Sequence, residues 1–219
     1  MRFYPISVDT KNKKVLVIGG GRGAYIKIKG LLTSEFLIYC LSKEFSDELR
    51  ALAEENSERI FLKELEIDED FRFFAYDYLI LATNDEGLNK RLMKRAKVSS
   101  VPVLSLNDQS NSDFHLIANV SKGPLFVTIQ TGNPSLSQFI KRDMEEFIDG
   151  YSEEKLNVMN DIRKRLIEEK SPYVSKLMAE LWEKEKISST FWEDRIEDSN
   201  RNEKKSTGDH AGEDHRPNS

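Results

Sequence analysis

The sequence predicts an α/β protein built on a doubly wound parallel sheet. Three observations carry that expectation. The β-branched run KVLVI at 14–18 breaks into Gly19, Gly20 and Gly21 and resumes as a helical pattern. Apolar runs then alternate with helix-period segments as far as residue 105. After about residue 113 the alternation stops, and a hairpin and charged helices take over.

Each element follows from its spacing. Ala24, Ile28, Leu31 and Leu32 of AYIKIKGLL recur as one face of a helix. FLIYCLS is a second buried strand, followed by a polar helix over about 46–55 that Ser46 starts and Leu49 and Leu52 anchor. RIFLKEL and YDYLILAT are the next strands, DEGLNKRLMKRAK a helix and VPVLSL a fifth strand. Beyond the polar stretch LNDQSNSDF, HLIANVSKGPLFVTIQT reads as two strands joined by SKGP, an antiparallel hairpin, closed by a helix over 137–149. From Tyr151 onward Leu156, Met159, Ile162 and Leu166 keep helical spacing. At KSPY, Ser171 is placed to cap a last helix, with Pro172 in its first turn and Val174, Leu177, Met178, Leu181 and Trp182 on one broad face. Residues 194–219 have almost nothing to bury and are expected to be a disordered tail.

Composition narrows the function classes. The net charge of −5, from 33 basic and 38 acidic residues with no long basic block, argues against a nucleic-acid partner. The apolar runs are too short to span a bilayer and the first residues lack a signal-peptide core, so a cytoplasmic protein is expected. Cys40, the single cysteine, reads as a small buried hydrophobe, which leaves no internal disulfide. His115, His210 and His215 have no metal-ligand spacing, so no metal site is expected.

The chemistry-bearing pattern is VLVIGGGRGA, where Gly19, Gly21 and Ala24 have G-x-G-x-x-A spacing between a strand and a helix. Missing side chains let the backbone approach a pyrophosphate, and a helix N-terminus offers it unpaired N–H groups. The competing reading is a glycine turn used only for packing. Glu44, in CLSKEF at the end of the second strand, is the one candidate acid for ribose hydroxyls; Ser42 or Lys43 could equally face them, which leaves NAD or NADP open. Thr83 and Asn84 of ATND end the fourth strand at the ligand-binding edge, although Asn84 or Asp85 could simply cap the next helix. Residues 107–113 lie on the same edge and would also make an ordinary Asn/Asp/Ser turn. In QTGNPSLS, Ser135 or Ser137 caps the helix, or the turn offers N–H groups to a carboxylate.

In order and spacing, YPISVD, KKVLVIGGGRGAYIKIKGLL, SKEFSDEL, YDYLILATNDEGLN, SDFHLIANVSKGPLFVTIQTG and PSLSQFIKRDMEE resemble the siroheme-synthesis family. Its members are precorrin-2 dehydrogenases, many of them also sirohydrochlorin ferrochelatases. The resemblance runs from about Tyr4 to Phe147. It implies a Rossmann-like NAD-binding domain over 1–112, a segment over 113–149 that pairs two subunits into a homodimer, and a helical domain over 150–193 that helps enclose the tetrapyrrole. The implied reaction removes a hydride and a proton from precorrin-2 to give sirohydrochlorin and NADH, with Fe2+ insertion following in bifunctional members. Gly19, Gly21, Arg22 and Gly23 match the family's pyrophosphate turn, Lys43 and Glu44 its ribose side, and Thr83 and Asn84 the strand end beside the nicotinamide. The family's catalytic aspartate falls on Asn107, an amide that cannot accept a proton, and the next acidic position on Asp108. Asp108, with Asn107, is therefore the catalytic candidate at the tetrapyrrole, Asp108 substituting if the loop shifts by one residue. Lys122, Lys141 and Arg142 are candidates for pairing with substrate carboxylates, against a plain reading as solvated charge. The chain departs from the family twice more: Gly23 replaces a valine, and QTGNPSLS is two residues shorter than the corresponding turn.

Overall fold

In the computed structural model, residues 3–68, 70–73 and 75–184 are described. Five parallel strands form one sheet in the order β3-β2-β1-β4-β5. They are β1 (Lys14–Ile18), β2 (Leu37–Ser42), β3 (Ile60–Glu64), β4 (Tyr78–Leu81) and β5 (Val103–Ser105). The chain begins in the centre, moves to one edge through α1 (Arg22–Leu31) and α2 (Asp47–Glu55), and returns to the other side of β1 for β4, α3 (Glu86–Val98) and β5. The order therefore reverses between β1 and β4, and a ligand crevice is expected beyond the strand ends at that point.

β1 is a continuous apolar run because it is covered on both faces. Val15 and Val17 pack with Ala24, Ile28 and Leu31 of α1 and Leu49 and Ala53 of α2. Leu16 and Ile18 pack with Leu92, Met93 and Ala96 of α3. Arg59 ties down the opposite edge, donating to the carbonyls of Leu32, Ser34 and Phe36.

This first compact unit ends at Leu116, and a second begins at Ile117. The second contains the hairpin β6 (Ala118–Lys122) and β7 (Leu125–Ile129), then α4 (Pro134–Asp149), α5 (Glu153–Glu168) and α6 (Val174–Trp182). Gly123 turns the hairpin with φ 54, a left-handed conformation that suits glycine. Met159, Ile162, Leu166 and Leu181 form the core between α5 and α6.

Two expected caps are corrected. α4 starts three residues earlier than its spacing suggested, because Asn133 accepts from the Ser135 and Leu136 N–H groups and Pro134 fits the first turn. Neither Ser135 nor Ser137 is the cap, and the Ser137 hydroxyl instead pairs with Thr131 Oγ1 at 2.8 Å. Ser171 does not cap α6; its hydroxyl accepts from Tyr173 N–H, which holds Pro172 in a turn ahead of the helix. The expected tail over 194–219, and 185–193 before it, lie outside the described residues.

Candidate dinucleotide site

The glycine turn is fixed from below. Gly19 has φ 124, and a Cβ on it would lie 2.5 Å from the Ala82 carbonyl oxygen. A Cβ on Gly20 would collide with the Glu44 carbonyl oxygen. Gly19 N–H donates to the Leu41 carbonyl at 2.9 Å, and Ser46 N–H to the Gly20 carbonyl at 2.8 Å, so the β2–α2 loop is strapped to the turn. Beneath it Cys40, fully buried, donates its thiol to the Gly19 carbonyl at 3.2 Å. Burial pushes that thiol up to about 12, which keeps it a neutral donor.

Above the turn the space is open. Nothing lies within 4 Å of a Cβ built on Gly21, which caps α1 without a side-chain hydrogen bond. By contrast Ser46, Asp85, Asn133 and Ser152 cap α2, α3, α4 and α5 with their side chains. Open backbone at Gly21, N–H groups left without a side-chain acceptor and no acidic residue in the first turn fit a pyrophosphate. A Cβ on Gly23 would approach only Leu106 Cδ1, a terminal methyl, at 3.0 Å, so a larger residue there needs a small shift of that side chain.

At the end of β4, Thr83 and Asn84 reach the crevice, but the α3 cap is Asp85, which accepts from Leu88 N–H at 2.8 Å. Thr83 joins a network that the sequence did not reveal. Its hydroxyl donates to Asn89 Oδ1 at 2.7 Å, and Asn89 Nδ2 donates to the Thr83 carbonyl at 3.0 Å and to Asn107 Oδ1 at 3.4 Å. Asn89 is 2% exposed. A polar residue on the buried face of α3 was the available signal, since such a group needs partners.

Residues 107–113 bond mainly to themselves and to β5. Asp108 accepts from Ser110 Oγ at 3.0 Å and from Asn111 Nδ2 at 2.9 Å. Hydrogen bonds from Asn111 and Ser110 hold its carboxyl below the usual carboxylate value. Ser112, buried, accepts from Ser105 N–H and donates to the Asp108 carbonyl, both at 3.0 Å. Asp113 Oδ2 accepts from Val103 N–H at 3.0 Å.

One cleft of about 1430 Å³ gathers Gly19, Gly21, Arg22, Gly23, Lys43, Glu44, Thr83, Asn84 and Asn107. Asp108 is not on that cleft; it lines a neighbouring cavity of about 250 Å³ with Glu86, Asn89, Lys90, Met93, Ser105 and Asn107. The cationic candidates of the second unit all meet acids there: Lys122 with Asp149, Lys141 with Glu145 and Arg142 with Asp143.

With this geometry in view, residues 6–118, more than half of the chain, match the protein family described as "Putative NAD(P)-binding". The chain belongs to this family. That description agrees with the dinucleotide suggested by the glycine turn. Siroheme synthase of Acinetobacter baylyi is 26% identical over 150 residues, 68% of this chain and 32% of the relative. Siroheme synthase of Mannheimia succiniciproducens is 27% identical over 164 residues, 74% of this chain and 33% of the relative. The chain spans about a third of the length of these curated relatives. The solved structure of SirC, precorrin-2 dehydrogenase, matches with a TM-score of 0.62 at 25% identity, over 82% of this chain and 89% of that one. Among the described residues no helix is long and apolar enough to cross a membrane, and no group of three or more His, Cys, Asp or Glu side chains could hold a metal ion.

Proposed function

We propose that this chain is an NAD-dependent dehydrogenase of the cytoplasm that oxidises precorrin-2 to sirohydrochlorin, working as a homodimer. The observation that carries the reading is the single cleft joining the glycine turn, the β4 edge and Asn107. Its likeness to SirC and to the siroheme synthases supports the substrate. When bound, NAD supplies the hydride acceptor.

The turn at Gly19–Gly21 and the first turn of α1 hold the pyrophosphate, with Arg22 adding positive charge, and Lys43 and Glu44 flank the ribose. Thr83 and Asn84 line the cleft beside the nicotinamide. The Thr83 carbonyl can only accept, so the NH2 of Asn89 faces it and also donates to Asn107 Oδ1. Asn107 is then left to offer its own NH2 to the cleft, where it orients an acceptor on the substrate. It does not take the proton, which is released to water. Exposed Phe126, Phe139 and Phe147 support a homodimer formed through the second unit.

Iron insertion is outside this proposal. Asn107 is neutral where a carboxylate would handle metal or proton, and Asp108 is bonded within its loop.

The test is to mix purified protein with NAD and precorrin-2 and follow the absorption spectrum. Appearance of the sirohydrochlorin spectrum with NADH is the expected result; no change with folded, NAD-binding protein overturns the reading.

A further inference from the structure

Among the described residues, Lys43 is the cation that directly follows β2, and it is already engaged. β2 and β3 pair in register to Ser42 opposite Glu64, and Leu65 N–H continues the ladder to the Ser42 carbonyl at 2.8 Å. The residues that follow, Lys43 and Glu66, therefore emerge side by side, and Lys43 Nζ lies 2.5 Å from Glu66 Oε1. Both line the cleft with Glu44 and Asp68. Arg50, on α2, is similarly tied to Glu64 at 2.6 Å. The other cations of the cleft, Arg22 and Arg91, are on α1 and α3. Because the Glu44 carbonyl packs over Gly20, this acidic end adjoins the glycine turn, on the ribose side of a dinucleotide held there.

We infer that Glu66 is a specificity-determining residue: by occupying Lys43 it withholds the cation that follows β2 from a ribose 2′-phosphate, so the site selects NAD over NADP. The inference rests on the dinucleotide reading above. A 2′-phosphate carries roughly −1.5 to −2 charges near neutral pH, like other phosphomonoesters. It would meet Glu44, Glu66 and Asp68 with Lys43 already neutralised. The uncharged 2′-hydroxyl of NAD can instead donate to a carboxylate. The pair is exposed, with 68% and 72% of its side chains accessible, so breaking it has little effect on folding and a change in binding can be read cleanly.

The experiment titrates the full chain with NAD and with NADP, for the wild type, Glu66→Gln, Lys43→Gln and the double variant. The wild type is expected to favour NAD. In Glu66→Gln the ratio of NADP to NAD affinity should rise roughly fivefold, the size of one exposed charge interaction. That rise should disappear in the double variant and shrink in high salt. A ratio unmoved by Glu66→Gln, a gain that survives without Lys43, or equal wild-type affinities overturn this inference alone. If folded wild type binds neither dinucleotide, the dinucleotide reading falls with it.

Discussion

Two loops edge the same cleft, and they are built in opposite ways. The turn at Gly19–Gly21 works by omission: two absent Cβ atoms let backbone pack on Ala82 and Glu44, and a third leaves the space over α1 open. The loop at 107–113 works by saturation, with Asp108, Ser112 and Asp113 making hydrogen bonds within the loop or to β5. The first loop leaves backbone donors available to a ligand. The second uses its carboxylates to hold its own shape, which leaves Asn107 as its residue on the large cleft.

The strongest way to break this contrast is a pair of alanines. Gly20→Ala drives a methyl into the Glu44 carbonyl and the Phe45 ring. It should cost several kcal/mol, of the order seen for severe core overpacking, and abolish dinucleotide binding. Gly21→Ala meets nothing within 4 Å and has φ −89, so its melting temperature should stay near wild type while dinucleotide affinity falls. Thermal melts beside dinucleotide titrations check both; equal loss of stability in the two variants would refute the division of labour.

A smaller effect is expected where the two loops connect. Asn89→Leu removes a buried amide and leaves the Thr83 hydroxyl and carbonyl and Asn107 Oδ1 without it. A loss of about 1–3 kcal/mol is expected by denaturant unfolding, from the hydrogen bonds that buried Asn89 makes to half-buried Thr83 and exposed Asn107. With Asn107 released, turnover should fall further than dinucleotide affinity, which kinetic and binding measurements separate.

The smallest effect belongs to Asp108 and depends on pH. Its folded carboxyl titrates below the ordinary 3.8, so its stabilising effect is complete above that value and is lost as pH falls through the depressed one. Asp108→Asn should therefore melt slightly below wild type near neutral pH and converge with it in acid. Turnover abolished at unchanged stability would instead assign Asp108 a direct part in the reaction.

Much of the α/β architecture was legible because burial leaves period and composition behind. A central parallel strand covered on both faces has to be apolar throughout, as KVLVI is apart from its first residue, and helix starts at Ser46 and Asp85 carry the short polar side chains that cap them. The caps of α4 and α6 were misread because Asn, Ser and Pro stood within a few positions of one another. Only the finished hydrogen bonds show which residue turns inward.

What the sequence determined by itself was the glycine turn, since the identities of Gly19, Gly20 and Gly21 are the missing atoms, together with the alternation that sets strands beside helices. What only tertiary structure decided was how the polar side chains are occupied. Asn89 meets Thr83 and Asn107 across 6 and 18 residues of chain, and Glu66 reaches Lys43 from just past the end of the neighbouring strand. Local spacing carries no trace of such pairings, because a side chain's partner is chosen by the sheet that brings distant strand ends together.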